Sequence, residues 1–220
     1  MTLRRDEIVP GIIEELEAFG ALLATLDDAA WRTQTRCEGW RVADVAAHVV
    51  GSMTDVVSGR LEGLGSPEVT AREVSERDGQ SAGDLLDELT QSAKQAAELL
   101  ALFDNAAWEA PSPGGYTGTL GQGVEALWYD TWAHHDDIGA ALGRPARRGP
   151  GLRAGVHHVA DVLSQQGWGP ATLALQGIEE VPVSGGGPAI SADPLAFVLV
   201  ASGRSDPASL GLDETVNIYR

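Results

Sequence analysis

A chain of 220 residues, 43% hydrophobic and 21% charged, has the length for one large or two small domains and the composition of a globular protein with a substantial core. Its formal net charge of −17 excludes nucleic-acid binding through phosphate contacts, which needs a basic face, and argues against association with anionic membranes. The single cysteine, Cys37, excludes an internal disulfide framework; with no apolar run of membrane-span length and no apolar stretch behind Met1-Thr2-Leu3-Arg4-Arg5-Asp6, the expected location is the cytoplasm.

Ile8, Ile12, Leu16, Phe19, Leu23 and Leu26 recur at helical spacing and predict a first amphipathic helix. A loop from Trp31 to Trp40 leads into a second, over about 42–61, with Val42, Val45, Val49, Met53 and Val56 as its apolar stripe. Residues 63–80 hold Gly, Pro and charges, and read as a long connection that shapes the mouth of a site. Ser81 is the expected N-cap of a third helix carrying Leu85, Leu89, Ala93, Ala96 and Leu100. After the loop Pro111-Ser112-Pro113-Gly114-Gly115-Tyr116, Thr119 caps a fourth helix that runs to about Leu142. Four amphipathic helices with one long crossover describe a bundle, whose core is where facing helices hold metals.

The breakers and charges of 144–151 mark a boundary between a first domain, 1–145, and a second, 150–220. Beyond it Leu152, Val156, Val159 and Leu163 predict a fifth helix. Thr172 to Leu175 and Glu180 to Val183 read as short strands, Ser184 to Gly187 as a turn, and Asp193-Pro194 as a helix start. The expected class is therefore α+β.

Chemistry concentrates in the fourth helix. Asp130, His134 and Asp137 stand at i, i+4 and i+7 and share one face beside the apolar stripe. Spacing alone leaves a hydrogen-bonded pair at a helix edge as the simpler reading of Asp130 and His134. His48, at the edge of the second helix, completes a His-carboxylate-His set with an open position, the arrangement of a catalytic metal site, with zinc the ion best suited to an imidazole-rich set. Asp137 is placed to hydrogen-bond the other ring nitrogen of a ligand histidine. His135 and Asp136, about 100° and 200° around from His134, read as surface groups. Cys37, with no His or Lys beside it in sequence, reads as packing rather than as a nucleophile. His157 and His158 lack carboxylates at ligand spacing. Arg204, after an apolar helix and Gly203, suits either recognition of an anion or pairing with the helix dipole; Arg60 is a weaker candidate of the same kind.

Two segments resemble a known family. Trp31 to His48 is similar to its N-terminal signature, a Trp, a Thr-x-Cys-x-Gly-Trp turn and an Asp-x-x-x-His helix, and 130–137 to its acidic-x-x-x-His-x-x-Asp signature. The family is that of the mycothiol-dependent maleylpyruvate isomerases, within the DinB-like superfamily. Ala192 to Arg204 is similar to its closing helix and Gly-Arg, so the resemblance covers nearly the whole chain. The departure is Asp130, where the family usually has Glu. The resemblance implies an N-terminal DinB-like four-helix metal-binding bundle and a small C-terminal α/β domain of sterol-carrier type. It further implies that Arg204 helps bind or polarise an acidic substrate, in a cleft between the two domains.

The enzyme reading is then an isomerase or S-transferase that uses a divalent metal, zinc by preference, and mycothiol. His48, Asp130 and His134 hold the metal, a thiolate attacks an electrophilic small molecule, and Arg204 stabilises the resulting charge. The expected partners are the substrate and the thiol cofactor, on a monomer or homodimer. The other reading, kept open by the shorter Asp130, is a non-catalytic bundle with a degenerate metal site, acting as a binding or regulatory module.

Overall fold

The computed structural model describes residues 3–220; Met1 and Thr2, the start of the expected first domain, lie outside the described residues. In chain order the helices are α1 (Arg5–Leu23), α2 (Asp28–Trp31), α3 (Val42–Ser58), α4 (Pro67–Glu76), α5 (Ala82–Leu102), α6 (Asn105–Glu109), α7 (Leu120–Ala141) and α8 (Pro150–Gln165). Three strands follow, β1 (Ala171–Leu173), β2 (Val181–Val183) and β3 (Ala189–Ile190), and then α9 (Pro194–Ala201). No helix among the described residues is long and apolar enough to cross a membrane. The class is α+β, mostly helical with one small sheet. Two compact units divide the chain, Arg5–Arg147 and Arg148–Arg220 with Leu3 and Arg4.

In the larger unit four long helices form a closed ring of neighbours: α1 lies against α7 and α5, and α3 against α5 and α7. Their apolar stripes fill the middle. Ile8, Ile12, Leu16, Phe19 and Leu23 of α1 are buried, as are Val45 and Val50 of α3, Leu85 and Leu89 of α5, and Trp128, Trp132 and Ile138 of α7. Each such aliphatic side chain contributes about 1.5–3 kcal/mol by leaving water, so the ring of helices is set by this stripe rather than by local propensity. Ser81 caps α5 and Thr119 caps α7 through their side-chain oxygens, as the sequence indicates. At Gly11 the α1 backbone touches the Trp128 indole so closely that a Cβ would lie 2.2 Å from the ring. A side chain there would push α1 and α7 apart.

The helix ends are shorter than the periodicity suggests. α1 stops at Leu23 rather than Leu26, and α3 stops at Ser58 because Gly59, at φ 75°, turns the chain into the left-handed region. The larger correction concerns 63–80, expected as a connection. It contains α4, capped by Ser66 with Pro67 in its first turn. The apolar signal was too thin to reveal it, since α4 packs mainly against α3 and largely through charged side chains.

In the smaller unit the strand order is β2-β1-β3. β1 pairs antiparallel with β2, Thr172 opposite Pro182, and parallel with β3, Thr172 opposite Ala189. Pro182 is tolerated because β2 is an edge strand. Ala171, Leu173, Val181 and Val183 are buried, and α8 packs against β2 and α9. Asp193 caps α9 ahead of Pro194 as expected, whereas β3 had no pattern long enough to show in the sequence.

Candidate metal centre

The three residues that the sequence offers as metal ligands come together. One donor atom each from His48 on α3 and from Asp130 and His134 on α7 lies within 4.8 Å of the other two. His48 Nε2 is 3.5 Å from Asp130 Oδ2, and His134 Nε2 is 3.5 Å from Asp130 Oδ1. The carboxylate therefore lies between the rings, one oxygen toward each. Donors around a tetrahedral ion at about 2.0–2.1 Å are about 3.3–3.4 Å apart, so this spacing suits a shared cation. The rings meet edge to face with centroids 5.0 Å apart, and the Trp40 ring lies 5.4 Å from His48 and 6.2 Å from His134. Arg204 belongs to the other unit, in the turn that closes α9, where its backbone N–H donates to Leu199 O at 2.7 Å.

The tautomer of each imidazole is set from behind. His48 Nδ1 is 2.7 Å from Glu73 Oε2, and His134 Nδ1 is 2.9 Å from Asp137 Oδ2. A carboxylate can only accept, so Nδ1 carries the hydrogen and Nε2 presents its lone pair toward Asp130. This is the arrangement by which outer carboxylates orient metal-binding histidines and raise their basicity. Without an ion the lone pair attracts a proton instead. Burial lowers the His48 pKa, but the Asp130 carboxylate and then Glu73 outweigh it and hold the group at about 10. The donor set, two imidazoles and a carboxylate, thus fits a divalent cation.

Asp137 is itself held firmly. Arg36 Nε donates to its Oδ1 at 2.6 Å while Arg36 Nη2 donates to Asp136 Oδ2 at 2.7 Å, so one guanidinium spans two adjacent carboxylates. The Cys37 thiol donates to Asp137 Oδ2 at 3.1 Å, with its sulfur 3.9 Å from His134 Nδ1. Cys37, His134 and Asp137 therefore form a second group of metal-ligand types. It is the poorer cation site, because Arg36 and the His134 ring already occupy the Asp137 oxygens.

Residues 13–139 match the family described as the mycothiol maleylpyruvate isomerase N-terminal domain, more than half of the 220 residues. The chain belongs to that family. Its fold is similar to two crystal structures, those of the mycothiol-dependent maleylpyruvate isomerase and of a histidine-to-alanine mutant of it. Both are 18% identical, covering 92% of this chain and 90% of theirs, with TM-scores of 0.63 and 0.64. No curated protein matches the sequence.

Several residues around this candidate site were not legible beforehand. Glu73 is fully buried on α4, and it escaped notice because its helix did. Arg36 carried no signal beyond its place in the Trp31 to Trp40 loop, which the Gln34–Arg41 bridge folds back onto itself. His135 and Asp136 are corrections: both are buried, not on the surface. His135 Nδ1 is 3.0 Å from the buried Glu15, which also accepts from Arg147, and Asp136 accepts the Arg147 backbone N–H at 2.7 Å. Helical angle alone failed there because α1 and the segment reaching Arg147 cover that side of α7. Cys37 stands beside a histidine that is remote in sequence. Arg60 Nη2 lies 2.5 Å from the buried Asp55 Oδ1, with its side chain about half exposed. His157 does have a carboxylate, Glu179, 3.0 Å from its Nε2.

Proposed function

We propose that this chain is a metal-dependent enzyme of low-molecular-weight-thiol chemistry, a mycothiol-dependent isomerase or S-transferase acting on an electrophilic small molecule in the cytoplasm. The observation that carries the reading is the pair of imidazoles, each fixed at Nδ1 by its own carboxylate and each aiming Nε2 at one oxygen of Asp130. His48, Asp130 and His134 would hold the ion, zinc by preference for two nitrogens and an oxygen with a position left open. A divalent ion there supplies the positive charge that keeps a thiol as its thiolate at neutral pH.

The chain's own groups do the rest. Glu73 and Asp137 hold the two Nδ1 protons and so fix both ring planes. Arg36 pairs with the buried Asp137 carboxylate, and Trp40 walls the two imidazoles from water. Arg204 is proposed to recognise the carboxylate of an acidic substrate, offsetting locally the negative field of a chain of net charge −17. Addition to an activated double bond followed by elimination gives isomerisation; retention of the thiol gives transfer. The larger unit is read as a DinB-like bundle and the smaller as a sterol-carrier-like domain, in keeping with this family.

Metal analysis of protein purified without chelator, followed by turnover of electrophiles with mycothiol, tests the reading. One divalent ion per chain, lost in His48→Ala, and mycothiol-dependent consumption of an unsaturated acid are expected. Arg204→Ala should lower that turnover and leave the ion in place. Absence of any bound ion in the native chain would sink the enzyme reading and leave the binding or regulatory module.

A further inference from the structure

The face that α3 turns toward α4 carries His48, Gly51 and Asp55, spaced at i, i+3 and i+7 and therefore stacked along one stripe. Two consecutive residues of α4 take up the ends of that stripe. Arg72 pairs with the fully buried Asp55, and Glu73 bonds His48 Nδ1 at 2.7 Å. Between them Gly51 lets the helices close. A Cβ there would lie 2.7 Å from Glu73 Cβ and 2.8 Å from the Arg77 guanidinium, which itself donates to Glu73 O at 3.0 Å.

Glu73 differs from its counterpart Asp137. Asp137 is bound by Arg36 and by the Cys37 thiol as well as by its histidine. Glu73 is 0% exposed, its Oε1 has no hydrogen-bond partner among the described residues, and the neighbouring Arg77 guanidinium turns its charge to Glu88. Burying a carboxylate with one oxygen unmet is costly, and the side chain that bonds Glu73 among the described residues is His48. The group that compensates it is His48, and most fully when a cation sits on the far side of that ring.

We propose that Glu73 is the positioning residue for His48, holding its Nε2 toward the cation site, and that Gly51 exists to let α4 bring Glu73 within reach. This rests on the metal reading above. Glu73 touches neither ion nor substrate and acts only through the imidazole. The Asp55–Arg72 pair fixes the helix, Gly51 sets its depth, and Glu73 converts that depth into a ring orientation.

The test is zinc affinity by competition with a chromophoric chelator, on the full chain, for native protein, Glu73→Gln, Glu73→Ala and Gly51→Ala, with helicity checked by circular dichroism. Outer-shell partners of this kind are worth about 10- to 100-fold in metal affinity. That loss is expected for Glu73→Ala. Glu73→Gln, which keeps the acceptor and loses the charge, should fall between it and native. Gly51→Ala, which removes no polar group, should weaken zinc in the same direction while remaining helical. Nitrogen NMR of the zinc-loaded native chain should show His48 protonated at Nδ1 and ligating through Nε2. Native-like zinc affinity in both Glu73 variants, or an Nδ1-ligated His48, overturns the positioning role and leaves the metal site intact. If the native chain itself binds no zinc, both readings fall. Should Glu73→Ala not fold, Glu73→Gln and the NMR assignment decide alone.

Discussion

Replacing Asp130 by Asn keeps the shape of the side chain and removes its charge, which makes it the sharpest probe of the site. The carboxylate lies 3.5 Å from each Nε2, so its charge is placed where an ion would be shared. Removing one member of a close charge set costs about 2–5 kcal/mol. The Asp130 side chain is 31% exposed, so water replaces part of what is lost and the lower end applies. A cost of about 2–3 kcal/mol corresponds to roughly 30- to 150-fold weaker binding. Chelator competition reads that directly, and thermal unfolding gives a second view. At an ion concentration 100 times the native Kd, binding adds about 2.7 kcal/mol. For a chain of this size that raises the midpoint by about 5–11 °C. The Asn variant at the same concentration should gain only about 1–3 °C. Asp130→Glu, with the same charge and one more methylene, should bind close to native, since a small helix shift absorbs the extra reach. Equal affinity of the native and Asn proteins would refute the reasoning, and would make the carboxylate a bystander between two histidines.

Three further outcomes follow from the geometry. His48 is held at about 10, because Asp130 and Glu73 outweigh its burial, so its contribution to stability is complete below the ordinary imidazole value of 6.5 and is lost as pH rises toward 10. The midpoint of chelator-treated protein should therefore fall between pH 7 and 10, and flatten in that range in His48→Ala; a slope unchanged in that variant would place the titrating group elsewhere. In the smaller unit, hydrogen bonds from Arg153 and then His157 overcome burial and lower Glu179 to about 2, so its contribution is present above 4.5 and disappears as pH falls toward 2. Arg153→Ala should lower stability above pH 4.5 and flatten its fall between pH 4.5 and 2, and an identical acid profile would count against the pairing. Gly11→Ala gains about 1 kcal/mol of helix propensity but drives a methyl into the Trp128 ring at 2.2 Å. Overpacking of that kind costs about 1–3 kcal/mol, so denaturant unfolding should show net destabilisation; a stabilised variant would mean that the α1–α7 contact yields freely.

Local patterns were enough to specify the helices that carry a continuous apolar stripe and their caps at Ser81, Thr119 and Asp193, because periodicity and capping depend on residues a few positions apart. The candidate donors were nameable from the sequence too, Asp130 and His134 by sharing a turn of α7 and His48 by its place after the Thr-x-Cys-x-Gly-Trp turn that carries the family resemblance. What surrounds them was decided by tertiary structure. Glu73 sits on a helix whose contact surface is made of charges rather than aliphatics, so no hydrophobic period announced it. Arg36 acquires its role only when the loop meets Asp136 and Asp137, 100 and 101 residues away. His135 and Asp136 lie off the α7 stripe that holds the site, yet they are buried because α1 supplies Glu15 and the segment beyond α7 supplies Arg147. A candidate donor pair can be written in one helical turn. Its orientation and charge balance depend on groups from other elements, and those distances exist only once the helices have packed.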